Sequence, residues 1–258
     1  MFSEHPYTQR LLGGLLAGYV FFLLLTSPIT LWTRVLAVTL PGVTFDHAQG
    51  NLWQGRAAAV TFPLGQDRAS IKDLRWNFQV SGLLRLEARY RIKIAAVSGD
   101  ALVGIGWNGV NLHDTDLNFA AGQLASILPL LAPWQPGGEI TLQSQKFTLP
   151  TGTVPAVKDE VIQVTWKNAS VNLTQVQPLG DYRLQMSGLD NGDTALRLET
   201  LRGALHLDGS GAYSRRQGLV VKGTASANDH HAALLPVLKL IGNAQADGSY
   251  AVSLKLPP

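Results

Sequence analysis

Two periods of apolar side chains divide the chain. From Leu11 to Thr33 no side chain is charged, and an apolar run of this length exceeds the roughly 20 residues needed to cross a hydrocarbon core of about 30 Å. Residues 11–33 are therefore predicted to form a single transmembrane helix, with 1–10 as a short tail. Arg10 precedes the run and Arg34 follows it, so Lys and Arg counts tie. The short tail, its amine and His5 favour a cytoplasmic N-terminus. No small-x-small site follows Leu25 before Pro28, which predicts a retained anchor rather than a removed signal peptide. Trp32 suits an interfacial anchor and ordinary packing equally.

Beyond Pro41 the period changes to two. Leu74, Trp76, Phe78 and Val80 alternate with Arg75, Asn77 and Gln79, which is the pattern of an antiparallel strand with one wet face. Leu86, Ala88, Tyr90, Ile92 and Ile94 alternate with Glu87, Arg89, Arg91 and Lys93, and Ser81-Gly82 between the runs predicts a hairpin. Further strands are predicted at 140–142, 162–166, 182–186, 196–198 and 250–256, separated by Gly, Asn and Asp clusters. The chain holds 26 glycines and 13 prolines, punctuation that suits many turns. No strand-helix-strand alternation occurs, which disfavours a parallel doubly wound sheet. The fold class is thus mainly β: a single N-terminal transmembrane helix, then an antiparallel β-sheet domain over 34–258 outside the cytoplasm.

Two short helices are predicted inside this domain, Gln123 to Leu131 and His231 to Leu238, each with an internal Leu-Pro step. Aligning Pro129 with Pro236 predicts two similar halves, about 43–150 and 151–258, sharing one curved sheet. Coincidence of two Leu-Pro helices also fits, since two copies are too few to set a period.

Charge and chemistry narrow the function by exclusion. The net charge is +3 and the basic residues are scattered, unlike the clustered cations of nucleic-acid binders, so no nucleic-acid partner is expected. With no cysteine there is neither a disulfide framework nor a thiolate metal site. Gly104-Ile-Gly-Trp-Asn-Gly109 matches a dinucleotide fingerprint but lacks the following helix whose amides would hold a pyrophosphate, and reads as turn glycines. His113, Asp114, Asp116 and His230-His231 have no metal-ligand spacing. Ser210, in Asp208-Gly-Ser-Gly211, lacks the spacing of a nucleophile elbow. No catalytic residue, metal or cofactor is predicted. The candidate interaction surface is a basic strip, Arg85, Arg89, Arg91 and Lys93, offset only by Glu87. Such a strip would face lipid headgroups or an acidic partner, and a merely solvated sheet face has the same pattern.

Gly50, Leu52, Trp53 and Gly55 lie in Ala48-Gln-Gly-Asn-Leu-Trp-Gln-Gly-Arg-Ala57, where glycines permit a tight turn and the indole can bury large area. This segment resembles the glycine-x-leucine-tryptophan-x-glycine entry of the type II secretion system protein N family. The proline-containing anchor, Leu201 to Gly211 and Leu240 to Tyr250 are also similar to that family, so the resemblance covers nearly the whole chain. It implies structural roles for Gly50, Leu52, Trp53 and Gly55, and no enzyme activity. It further implies a single-pass, periplasm-facing inner-membrane accessory or assembly component, whose machine exports folded proteins from the periplasm across the outer membrane. Partners would then be other platform or periplasmic components of that machine, with membrane lipid around the N-terminal helix. The alternative expectation is a membrane-anchored periplasmic lipid-binding or lipid-transfer module, because a sheet with one uncovered apolar face forms an open groove.

Overall fold

The computed structural model describes residues 42–64, 67–107, 109–149, 156–214, 216–228 and 230–256, together with 14–16, 18, 19, 22, 26–30 and 33. The span predicted at 11–33 lies largely outside the described residues, and among those described no helix is long and apolar enough to cross a membrane.

A single 15-stranded sheet organises the chain. Its strands are β1 (Thr44–Asp46), β2 (Gln49–Gly50), β3 (Gln54–Leu64), β4 (Asp67–Gln79), β5 (Ala88–Ile94), β6 (Ser98–Gly106), β7 (Gly109–Ala120) and β8 (Gly137–Leu149). They continue as β9 (Val161–Ser170), β10 (Gly180–Gly188), β11 (Thr194–Gly203), β12 (Leu205–Ser214), β13 (Gly218–Ala227), β14 (Asn243–Ala244) and β15 (Tyr250–Leu256). From β3 to β13 each strand lies beside the next in sequence; β1 and β2 flank β3, and β15 then β14 follow β13. The sheet's strand pairings are all antiparallel. A meander of this kind follows from short connections, because antiparallel neighbours can be joined by tight turns whereas parallel ones need long crossovers. Gly106 pairs with Gly109, and Gly109 adopts φ +102°, so the glycines of the apparent fingerprint close a two-residue hairpin loop.

Register gathers the apolar positions on one face. Trp76 stands opposite Ile92 and Phe78 opposite Tyr90; in the second half Leu142, Val164, Leu184 and Leu198 are aligned across four strands. Helix α1 (Gly122–Ile127) runs into a 3-10 turn at Pro129–Trp134. Leu128 is extended between them, as expected before a proline, which also lacks the N–H that would continue the helix. Helix α2 (His231–Ile241) buries Leu234, Val237 and Leu238 in a core with Tyr182, Leu205, Ala225 and Tyr250. A separate, smaller core forms from Ile29, Ala57 and Trp76.

The predicted hairpin of β4 and β5 forms, with Gln79 opposite Arg89, but its strand limits differ from the expectation. A 3-10 turn, Val80–Arg85, connects the strands, and Leu86 closes it in the left-handed region at φ +55°. Leu86 therefore is 77% exposed rather than buried, while Glu87 is only 6% exposed rather than wet. Leu86 turns outward because the left-handed turn ends the strand pattern there, and Glu87 is buried because Arg89, Asn111 and His113 close on its carboxylate, so regular alternation of exposure begins only at Tyr90.

Candidate functional site

The glycine-leucine-tryptophan segment forms a built turn at one end of the sheet. Gly50 on β2 pairs with Gly55 on β3. Asn51 holds the intervening residues: its side-chain oxygen accepts hydrogen bonds from the Trp53 and Gln54 amides at 3.0 and 2.9 Å. Gly50 has φ +102°, and a Cβ there would lie 2.4 Å from the Gln54 carbonyl oxygen, so both conformation and space require glycine. At Gly55 a Cβ would meet the Trp76 ring at 2.2 Å. The indole seated against this glycine is thus Trp76, whose Nε1 donates to the Asn51 carbonyl at 3.0 Å. Trp53 is half-buried and meets Phe78 edge-on at 4.8 Å, while Leu52 is half-buried in the same turn.

This turn also receives the end of the apolar N-terminal segment. Pro28 makes an antiparallel bridge with Asn51, and Ile29 is 6% exposed against Ala57 and Trp76. The sequence signal for this contact was absent, because Pro28 and Asn51 are brought together only by the fold.

The basic strip divides into different environments. The Arg85 side chain lies outside the described residues. Arg89 is largely buried, with its side chain 13% exposed, and pairs with Glu87 at 2.8 Å. Arg91 is half exposed and pairs with Asp100 at 3.1 Å. Lys93 is exposed, and its cross-strand neighbours are cationic: Lys93 stands opposite Arg75, which stands opposite Arg56. These three cations and Arg91 line one shallow groove that, among the described residues, no acidic side chain lines, although Asp73 joins Arg56 and Arg75 around the adjoining hollow. Arg56 donates from Nε and Nη2 to the Gln49 side-chain oxygen at 3.1 and 2.7 Å. Directly opposed like charges are destabilising in a sheet, so the row Arg56, Arg75, Lys93 is an anion-attracting feature that sequence alternation on a single strand did not reveal.

Behind Arg89 a buried polar network crosses strands β5, β7 and β8. The Glu87 carboxylate accepts from Arg89 at 2.8 Å, from Asn111 at 2.9 Å and from His113 Nε2 at 2.9 Å. Thr148 Oγ1 donates to the Asn111 side-chain oxygen at 2.8 Å, and the Thr148 amide donates to Glu160 at 2.6 Å. Lys146 closes the chain on Glu160 at 2.7 Å. Gly104 makes room for it, because a Cβ there would lie 2.0 Å from Glu87 Oε1. Burial raises the Glu87 pKa, but hydrogen bonds from His113, Arg89 and Asn111 outweigh it and hold the carboxyl at about 2. At Glu160 burial likewise raises the pKa and is outweighed by Lys146 and Thr148, leaving it lowered. His113 is thereby engaged in a structural network. Asp114 adopts φ +37° beside it. His231 lies beside Tyr250 with the rings tilted and their centroids 6.4 Å apart, and Ser210 is exposed on β12. Among the described residues no group of three or more His, Asp or Glu is placed to hold a metal ion.

A family model described as type II secretion system protein N matches residues 41–253. The chain is also similar to individual proteins of that description. The type II secretion system protein N of Aeromonas hydrophila is 26% identical over 181 residues, covering 68% of this chain and 69% of the relative. That of Vibrio cholerae serotype O1 is 29% identical over 146 residues, 54% of this chain and 56% of the relative. That of Pectobacterium carotovorum subsp. carotovorum is 24% identical over 250 residues, 94% of each chain. No solved structure matches the chain significantly.

Proposed function

Since the chain belongs to the type II secretion system protein N family, we propose that it acts as a non-catalytic assembly component of that system, anchored in the inner membrane by the part of the apolar stretch 11–33 that precedes Pro28, with its sheet in the periplasm. The observation that carries this reading is the seat of the N-terminal segment. The glycine-tryptophan turn pairs with Pro28 and the adjoining core buries Ile29, so a membrane anchor and the sheet would move as one body rather than as two parts on a loose tether. Working partners are other components of the same secretion machine. The two halves, 43–150 and 151–258, are read as copies of one unit of strands, a short helix and a closing strand.

The test is a deletion strain complemented with the full chain. Exported proteins should accumulate in the periplasm without it and leave the cell with it, and a C-terminal alkaline phosphatase fusion should be active. Normal export from the deletion strain, or an inactive fusion at normal abundance, would overturn the corresponding half of the proposal.

A second reading, lipid binding by the apolar face, draws on the half-buried band Leu142, Val164, Leu184 and Leu198 in a sheet whose outermost strands β1 and β14 do not pair with each other. Purification of the full chain with bound phospholipid, lost on Leu184→Glu without loss of fold, would favour it; lipid-free protein would count against it.

A further inference from the structure

We infer that the sheet end holding the glycine-tryptophan turn rests in the membrane surface, with the turn 80–86 and the hairpin tip at Trp107 entering the boundary between headgroups and acyl chains. This rests on the reading of the apolar stretch before Pro28 as an anchor and adds a second, interfacial contact to it.

Three observations converge. The first is apolar exposure. Leu84 and Trp107 are each 91% exposed, Leu86 is 77%, Val80 70% and Leu83 and Ile105 both 53%. An isolated exposed leucine needs no explanation, but a cluster of large apolar side chains on neighbouring turns marks a contact surface. The register makes them neighbours: Gln79 pairs with Arg89, Ala88 with Ile105, and Gly106 with Gly109, so both turns project from the same end of β4 to β7.

The second is location. The Phe78 amide donates to the Trp53 carbonyl at 2.6 Å, which sets the glycine-tryptophan turn beside the start of the 80–86 turn. Pro28 bridges to Asn51 in that turn. The apolar N-terminal segment therefore meets the sheet at the same end that presents Leu84 and Trp107, and a bilayer holding that segment lies within reach of both loops. A protein partner would need no such coincidence.

The third is charge. By sequence, the segments 80–86 and 104–109 contain no acidic residue, and the next one, Glu87, is buried and neutralised by Arg89. Arg75 lies four residues before the end of β4, about 13 Å along the strand at roughly 3.3 Å per residue. Interfacial apolar elements enter about 5–10 Å beyond the headgroup boundary, so the row Arg56, Arg75 and Lys93 would stand on the water side of the headgroups, within the range over which anionic lipids attract cations. Trp and Leu at the tip with Arg and Lys behind is the order that a bilayer surface selects.

The absence of cysteine from the chain permits a direct test. Single variants Leu84→Cys, Trp107→Cys and Ala96→Cys, the last in the exposed turn at the other end of β5, are labelled with an environment-sensitive fluorophore. Each full-length protein is placed in nanodiscs of phosphatidylethanolamine and phosphatidylglycerol. Labels at 84 and 107 should shift to the blue and be quenched by iodide several-fold less than the label at 96. In unlabelled protein, brominated acyl chains should quench Trp fluorescence, and Trp107→Phe should remove part of that quenching. Protein that stays in vesicles through alkaline carbonate while 84 and 107 are quenched as readily as 96 would overturn the docking and leave the anchor intact. Extraction of the protein by carbonate would overturn the anchor and the docking together. Protection seen only when other secretion components are added would assign this end to a protein partner and overturn the membrane assignment.

Discussion

Arg89 and Lys93 stand four residues apart on β5, and alternation places them alike, yet they belong to opposite electrostatic regimes. Arg89 is buried against Glu87 in a network that also engages Asn111, His113 and Thr148. Lys93 is exposed beside Arg75 and Arg56, in a groove lined, among the described residues, by no carboxylate. In the first region charge is consumed in holding strands together; in the second it is left available. The difference lies not in the strand but in what covers it. The turn 80–86 delivers Glu87 over Gly104, whereas Lys93 stays exposed. A positive strip in a sequence is thus two things until the covering elements are known.

The largest expected effect comes from breaking the buried region. Glu87→Ala leaves Arg89 uncompensated and strips the Asn111 and His113 donors of their acceptor, a class of change that costs about 3–5 kcal/mol. Chemical denaturation of the full chain in detergent should show that loss, and a change below about 1 kcal/mol would mean that water satisfies Arg89 and that the two regions are alike.

Acid titration sharpens the same contrast. The folded pKa of Glu87 lies at about 2, below its usual 4.5, so the folded state binds fewer protons there than the unfolded chain. Its contribution is complete above about pH 4.5 and is lost as pH falls through 4.5 toward 2. Melting temperature should fall across that window, and Glu87→Gln should flatten the fall. It should not abolish it, because Glu160 and Asp181 are lowered too, Asp181 chiefly by the Asn168 amide. A slope unchanged by Glu87→Gln would remove Glu87 from the account.

Arg91 lies between the two regimes, partly exposed and paired with Asp100. Asp100→Asn should cost less than about 1 kcal/mol, as partly exposed pairs do, while adding one available cation to the groove. A larger loss in the denaturation curve would extend the buried region to Arg91.

The smallest stability change is expected in the exposed row. Arg75→Glu or Lys93→Glu should alter stability by no more than about 0.5 kcal/mol, since each relieves a like-charge neighbour. Binding of the full chain's outer face to anionic vesicles, followed by salt titration, should nevertheless weaken. Equal binding by wild type and by each of the two variants would show the row to be only a solvated face.

Much of the fold was legible from local pattern. Alternation at Leu74 to Phe78, Ala88 to Ile94 and Tyr250 to Leu256 located strands because one face of a sheet must be dry and the other wet. Gly104 to Gly109 read as turn glycines because no helix followed, and the glycine-tryptophan segment announced the family before any strand was paired. Local pattern failed where the backbone left its period. Left-handed Leu86 faces outward, and Glu87 is buried by Arg89, Asn111 and His113, two of which lie on another strand. Tertiary structure alone decided that Trp76, rather than Trp53, seats against Gly55, and that Glu87 meets His113 across 26 positions of chain. It also decided that Arg56, Arg75 and Lys93 form a row and that Pro28 reaches Asn51. These are contacts between strands, and register is fixed by the summed fit of whole strands, a quantity that no short stretch of sequence contains.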